Sequence, residues 1–325
     1  MPDAAIVRVG TRASRLALWQ TDHVVAQLRL SRPGLRFESV HIRTLGDRVL
    51  DVPLPRIGDR GLFTRDLEEA LRDGRIDLAV HSLKDLPTEQ PAGLALGAVL
   101  SREDPREVLV SRHRQALAAL PEGSRLGTSS LRRRAQVLAL RPDLAIADIR
   151  GNVPTRIEKV ERGEYDATLL AHAGLSRLGL SGAISEVFDT STLVPAPGQG
   201  ALAVQVRAQD TRIGALVAEI DDAGTRLATT AERTLLAALQ GGCQAPVGAS
   251  AVWEGEGRLR LTAVVASLDG RAVLRAVEHA SVGDADAAIR LGQAAAARLR
   301  AQGADAIVDE ARRLALAQPV PGEPL

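Results

Sequence analysis

Apolar residues in the first two-thirds of the chain follow two alternating spacings. Short apolar runs at residues 5–10, 76–80 and 167–171 predict strands, and stretches of 3.6-residue period between them predict helices. Ser14 is placed to cap a helix through about residue 30, with Leu16, Trp19, Val24 and Leu28 on one broad face. Residues 37–43 alternate as a strand. Thr64 is expected to cap a helix over 65–72, and Gly74 falls where a C-terminal glycine belongs. Strand 94–100 continues this first sheet. A second block from about residue 101 reads as helix 130–140, strand 145–149, helix 153–162, strand 167–171 and a helical turn through Leu175 and Leu178. After a Pro/Gly breaker at 195–200, strand 201–207 is expected to cross back to the first block. This βαβ order predicts an α/β protein with a mostly parallel sheet in each block.

The last third changes character. A long Ala/Leu helix over about 223–240 stops at Gly241 and Gly242. Strand-like runs follow at 248–253, 258–268 and 272–280, then Ala-rich helices near 284–300 and 304–316, which predicts a small α+β domain. The expected domains are 1–100 with about 201–220, then 101–200, then 221–325.

With 325 residues, 45% of them hydrophobic, the chain can fill two or three cores. A net charge of +1 supplies no global field for nucleic acid or anionic membrane, and 2% aromatics argue against base stacking. One cysteine excludes an internal disulfide framework and a Cys-rich metal site. No apolar run approaches the roughly 18 residues of a membrane span, and no secretory pattern is seen, so a soluble cytoplasmic protein is expected. Lys84 and Lys159 are the only lysines among 41 basic residues, so most arginines read as solvated helix faces.

Some arginines sit elsewhere. Arg12 stands near Ser14, Arg132 and Arg133 beside Thr128, Ser129 and Ser130, and Arg150 and Arg156 flank Asn152, each at a strand end that opens a helix. Guanidinium forks beside helix amides suit carboxylates, so the set points to a polyanion site; singly, each is also a surface ion-pair candidate. Asp85, next to Lys84 and just past a strand, reads either as a local ion pair or as an acid/base that stabilises a transient cation. Cys243, after two glycines, reads either as an inert small core residue or as an accessible thiol for covalent attachment. His81 and His172 lack metal-ligand spacing and read as packing or hydrogen-bonding residues, and no metal is expected.

The ordered motifs resemble the porphobilinogen deaminase (hydroxymethylbilane synthase) family over essentially the whole chain. They are Gly10-Thr11-Arg12 with Leu16-Ala17-Leu18-Trp19-Gln20, His81-Ser82-Leu83-Lys84-Asp85-Leu86-Pro87, Arg150-Gly151-Asn152-Val153, Ala173-Gly174-Leu175, Gly198-Gln199-Gly200-Ala201 and Gly241-Gly242-Cys243-Gln244. The resemblance implies two type II periplasmic-binding-protein-like lobes with a cleft between them, and a small C-terminal α+β domain that carries the cysteine. It implies a dipyrromethane cofactor joined to Cys243 by a thioether. Four porphobilinogens are then added head to tail, each with loss of ammonia, before hydrolysis frees the linear tetrapyrrole. It implies Asp85 as the catalytic group. Lys84, Asp85, Thr128, Ser129, Ser130, Arg132, Arg133 and Arg150 would hold the cofactor. Arg12, Ser14, Arg150, Arg156, Arg177 and Gln199 would hold substrate. It also suggests a monomer. The chain departs from the family's pattern at Arg60, where a lysine is common, at Ala245, where a β-branched residue is common, and at Leu45 near Asp47. Two other classes compete: a noncatalytic two-lobed carboxylate binder, and a DNA-binding regulator with related lobes. The absence of a helix-turn-helix or basic arm weighs against the second.

Overall fold

The computed structural model of the protein describes residues 6–44, 64–240 and 245–317. Its elements run β1 (Ile6–Thr11), α1 (Arg15–Ser31), β2 (Arg36–His41), α2 (Arg65–Arg72), β3 (Leu78–Ser82), β4 (Leu94–Val99), β5 (Glu107–Ser111) and β6 (Arg125–Gly127). They continue α3 (Leu131–Leu140), β7 (Ala145–Ala147), α4 (Val153–Glu161), β8 (Ala167–Ala171), α5 (His172–Arg177), β9 (Glu186–Val187), β10 (Leu202–Arg207), α6 (Thr211–Ala218) and α7 (Ala223–Ala238). The chain then forms β11 (Val247–Trp253), β12 (Arg258–Ala266), β13 (Val273–Ser281), α8 (Ala285–Ala301) and α9 (Ala304–Ala317).

Two compact units divide these elements. The first holds described residues 6–44, 64–103 and 200–226, and the second 104–199 and those from 227 onward. In the first unit the sheet order is β2-β1-β3-β10-β4. Its inward side chains, among them Val7, Val9, Leu78, Val80 and Val204, pack against Val24, Val25 and Leu28 of α1 and Ile213 and Val217 of α6. Leu67, Ala70 and Leu71 of α2 cluster with Ile76 and Ala79. Each fully enclosed valine, leucine or isoleucine among them contributes about 2 kcal/mol. The Ser14 cap accepts from Ala17 N, so α1 starts where the pattern placed it.

In the second unit the five-stranded sheet has the order β7-β6-β8-β5-β9. The pattern repeats that of the first unit: β6 lies parallel to β7 and β8, as β1 does to β2 and β3. A separate antiparallel sheet, β11-β12-β13, packs Leu259, Leu261 and Val265 against Leu235 of α7, Leu299 of α8 and Val308 of α9.

Three expectations change. The five-stranded sheets are mixed, because β10 runs antiparallel to β3 and β4, and β5 antiparallel to β8 and β9. Strand β10 joins the first sheet only after the chain has built the second, so no right-handed βαβ crossover sets its direction. Thr64 does not cap α2: its backbone lies in the helical region, and its buried hydroxyl has no partner among the described residues. A capping oxygen needs extended backbone to reach the second or third helical amide. The strands β5, β6 and β9 and helix α6 were not read from the pattern.

Candidate active site

Local chemistry builds the mouth of α3. Ser130 caps the helix by accepting from Arg133 N at 3.4 Å, and Thr128 Oγ1 accepts from Ser130 N at 3.2 Å. Ser129 Oγ donates to Ile149 O at 3.0 Å and accepts from Ile149 N at 3.2 Å, which ties this mouth to the segment that opens α4. Thr128, Ser129 and Ser130 also line a cavity of about 760 Å³, together with Arg134, Asp148 and the turn from Ser267 to Ala272. Ala266 N donates to Pro246 O beside that turn. Cys243 lies outside the described residues, as do Asp47 and Arg60.

Arg132 and Arg133 are buried, and both face Glu107, which has no exposed surface. Arg132 Nη2 donates to Glu107 Oε1 at 2.6 Å, and Arg132 Nη1 to Val194 O at 2.9 Å. Arg133 Nε donates to Glu107 Oε2 at 3.0 Å, and Arg133 Nη1 to Leu169 O at 3.0 Å. Gln199 Nε2 completes the cluster, donating to Glu107 Oε1 at 3.0 Å and Pro105 O at 2.8 Å. Burial lowers the pKa of Arg132, an effect that Glu107 opposes and Arg133 reinforces.

The next mouth has a different balance. Asn152 caps α4 by accepting from Thr155 N at 3.0 Å. Arg156 is half-buried and donates Nε to Gly151 O at 2.8 Å. Among the described residues it forms no ion pair. Burial, then the charges of Arg133 and Arg150, push its pKa down to about 10. Arg150 is also lowered by burial, with Asp148 opposing. A guanidinium crowded by two others favours a bound anion there. Arg177 is half-buried in the last turn of α5.

In the first unit, β3 delivers its motif on a fixed turn. Leu83, Lys84 and Asp85 form a single 3-10 turn directly after Ser82. Leu83 and Leu86 are buried, Leu83 N donates to Ala201 O at 3.0 Å and Leu86 N to Leu83 O at 3.1 Å, so the turn is held on both sides. Lys84 and Asp85 are half-buried between these anchors. Among the described residues the Asp85 carboxylate makes no hydrogen bond or ion pair. Gln20 Nε2 donates to Ser82 Oγ at 2.8 Å and binds α1 to the same strand end. Arg12 is half-buried between β1 and the Ser14 cap. His81 is buried, and its Nε2 has no hydrogen-bond partner among the described residues. No group of His, Cys, Asp or Glu among the described residues could hold a metal ion.

Sequence reasoning missed Glu107. Its signal was an acid at the head of an apolar run, Val108-Leu109-Val110, two residues after Pro105. An acidic residue beside so many arginines reads as a surface partner until the antiparallel placement of β5 is known.

Two lobes of the same mixed strand order, with cation-bearing helix mouths and a carboxylate on a rigid turn, have a type II periplasmic-binding-protein-like α/β fold. The chain belongs to the porphobilinogen deaminase family. The family model described as "Porphobilinogen deaminase, dipyromethane cofactor binding domain" matches residues 7–215, and that of the C-terminal domain matches residues 226–301. The porphobilinogen deaminase of Desulforudis audaxviator is 52% identical over 94% of this chain and 98% of its own length. That of Roseiflexus sp. is 51% identical over 92% of this chain and 97% of its own. Among solved structures, a double mutant of the BvgS VFT2 domain of Bordetella pertussis is similar at a TM-score of 0.42 and 17% identity, covering 66% of this chain and 86% of that one. The activity is that of a transferase in tetrapyrrole biosynthesis: porphobilinogen is the substrate, and the cofactor is dipyrromethane. No helix among the described residues is long and apolar enough to cross a membrane.

Proposed function

We propose that Cys243 tethers the dipyrromethane and that Asp85 is the acid/base of each condensation. When bound, the dipyrromethane supplies the primer to which four porphobilinogens are joined head to tail, before hydrolysis releases hydroxymethylbilane. The residues fit such a group. Every pyrrole brings an acetate and a propionate, and Arg150 and Arg156 gather positive charge that burial leaves poorly solvated. Arg12, Ser14, Arg150, Arg156, Arg177 and Gln199 are assigned to substrate, and Lys84, Asp85, Thr128, Ser129, Ser130, Arg132, Arg133 and Arg150 to the cofactor. Ser129 already gives its hydroxyl proton to Ile149 O, so it serves as a brace for the mouth.

One observation carries the role of Asp85: its half-buried carboxylate is held on an anchored turn and left unengaged among the described residues. Loss of ammonia from porphobilinogen leaves a cation conjugated with the pyrrole nitrogen. A fixed carboxylate stabilises that charge, accepts the pyrrole N–H and then takes the proton lost after carbon–carbon bonding. The attachment of the cofactor at Cys243 is supported by position, three residues before Pro246, whose carbonyl pairs with β12 beside the cavity. The three sheets support a division into domains 1–100 with about 201–220, 101–200 and 221–325. The family resemblance suggests a cytoplasmic monomer, and a net charge of +1 supplies no global field for nucleic acid or anionic membrane; sedimentation of the purified protein tests the monomer.

Intact mass spectrometry tests the tether. The protein should exceed its sequence mass by two linked pyrrole units, and Cys243→Ser should lose that excess. Asp85→Ala should keep it while turnover falls about 100-fold or more. An unmodified protein with full activity rejects the tether, and near-normal turnover of Asp85→Ala rejects that residue's role.

A further inference from the structure

Arg132 and Arg133 are adjacent on α3, buried and of like charge, so something must fix them. Glu107 does so from beneath. Its Oε1 receives Arg132 Nη2 and Gln199 Nε2, and its Oε2 receives Arg133 Nε and, at 2.8 Å, Nη2. Carbonyls take a further edge of each guanidinium, Val194 O for Arg132 and Leu169 O for Arg133. A planar fork held along two edges has one orientation left. The neighbouring backbone is braced as well: Gly198 N donates to Glu232 Oε2 at 2.7 Å, and Glu232 Oε1 accepts from Ala251 N at 2.7 Å. Among the described residues Glu107 is the one carboxylate bonded to these two guanidiniums, one negative charge against two positive, while Glu232 is bonded to backbone amides.

We infer that Glu107 is a positioning residue for carboxylate recognition: it sets the planes of Arg132 and Arg133 and the amide of Gln199, so that the two guanidiniums act on the carboxylates of the oligopyrrole chain. Glu107 touches neither substrate nor cofactor and acts through the arginines. The inference rests on reading Arg132 and Arg133 as carboxylate-binding residues. The lowered proton affinity of Arg156 fits it: burial is the main cause, and the charge of Arg133 adds more to it than that of Arg150.

The test compares purified holoenzymes: wild type, Glu107→Asp, Glu107→Gln, Arg132→Lys and the double variant Glu107→Asp/Arg132→Lys. Each is measured for melting temperature, dipyrromethane loading by intact mass, and kcat and KM for porphobilinogen. Glu107→Asp keeps the charge and withdraws it by one methylene. It should melt near the wild-type temperature, yet lose at least about fivefold in kcat/KM or lose its dipyrromethane. The double variant should be no worse than the poorer single variant, because both changes disturb one unit. A folded, loaded Glu107→Asp with a smaller loss overturns the inference, as do multiplicative losses in the double variant. Failure of both Glu107 variants to fold assigns the residue to the fold alone and also overturns it. If Arg132→Lys is unaffected, the reading of the arginines has failed; a wild type that does not consume porphobilinogen refutes the function itself.

Discussion

Acid should weaken the first unit through one buried imidazole. His81 is 5% exposed on β3, where it pairs in register with Ala203 of β10. Burial lowers its pKa from 6.5 to about 4, an interaction with Gln205 opposes this, and the charge of Arg12 adds to it. The folded ring therefore stays neutral down to about pH 4, whereas the unfolded ring takes a proton near 6.5. Between those values the unfolded chain binds more protons, so stability rises with pH across that window and is flat above it. The full effect is about 3 kcal/mol, of which about 2 kcal/mol is lost by about pH 5. Carboxylates also titrate in acid, so the comparison needs a variant without the imidazole. His81→Gln removes this one titration and leaves the others. Urea unfolding of wild type and His81→Gln, each in a Trp253→Phe background, can be followed through Trp19 on α1 in the first unit. Wild type should lose about 2 kcal/mol more than His81→Gln between about pH 7.5 and about pH 5. Equal losses in the two proteins would refute a neutral buried His81.

Two further substitutions probe the frame around the site. At Gly270, φ is +75° and an added Cβ would lie 2.3 Å from Ala139 N and 2.4 Å from Leu138 C, so Gly270→Ala drives the 267–272 turn into the backbone of α3. Gly74 has a similar φ of +68° and open space around it, so Gly74→Ala isolates the backbone strain of about 1–2 kcal/mol; Gly270→Ala should cost about 2 kcal/mol more by urea midpoint, and equal costs would disprove the close approach. Asp77 takes Arg8 N at 2.8 Å, Arg8 Nη2 at 3.0 Å and Arg207 Nη2 at 3.3 Å. Although burial opposes them, these partners hold its pKa below the usual carboxylate range, so its contribution is present above about pH 4 and fades as pH falls through the folded value. Asp77→Asn should cost about 2 kcal/mol near neutrality, a deficit that shrinks in strong acid; a deficit independent of pH would contradict the ion pair.

Local signals in the chain carried the elements well and their assembly poorly. The α1 start was legible because Ser14 is a capping type next to periodic apolar residues, and it accepts a helix amide; α3 begins one residue after the expected start, with Ser130 as its cap. Thr64 carried the same signal and failed, because a cap depends on backbone angles that the chain before the helix decides. Strand direction was less legible still. β5 and β10 look like any apolar run, and their antiparallel placement depends on partners far away in sequence, such as Glu107 with Ala171 and Ala203 with His81. Period and propensity contain no term for such pairs.

The arginines show why a site is harder to read than a fold. Arg106, Arg141, Arg207 and Arg226 each find an aspartate two to five residues away in sequence, Asp104, Asp143, Asp210 and Asp221. Such pairs can be guessed from spacing, and they close the charge locally. Arg132 and Arg133 find their carboxylate 25 and 26 positions away, at a residue that spacing gave no reason to choose. Arg156 finds no carboxylate among the described residues and faces Arg133 and Arg150 instead. In sequence all of these look alike, as arginines near turns and helix ends. What separates a structural arginine from a ligand-binding one is whether the folded chain supplies the balancing charge in full; Glu107 offers one negative charge to the two guanidiniums of Arg132 and Arg133. At the mouth of α4 the chain does not balance the charge in full, and a substrate that brings two carboxylates with every pyrrole is suited to supply the remainder.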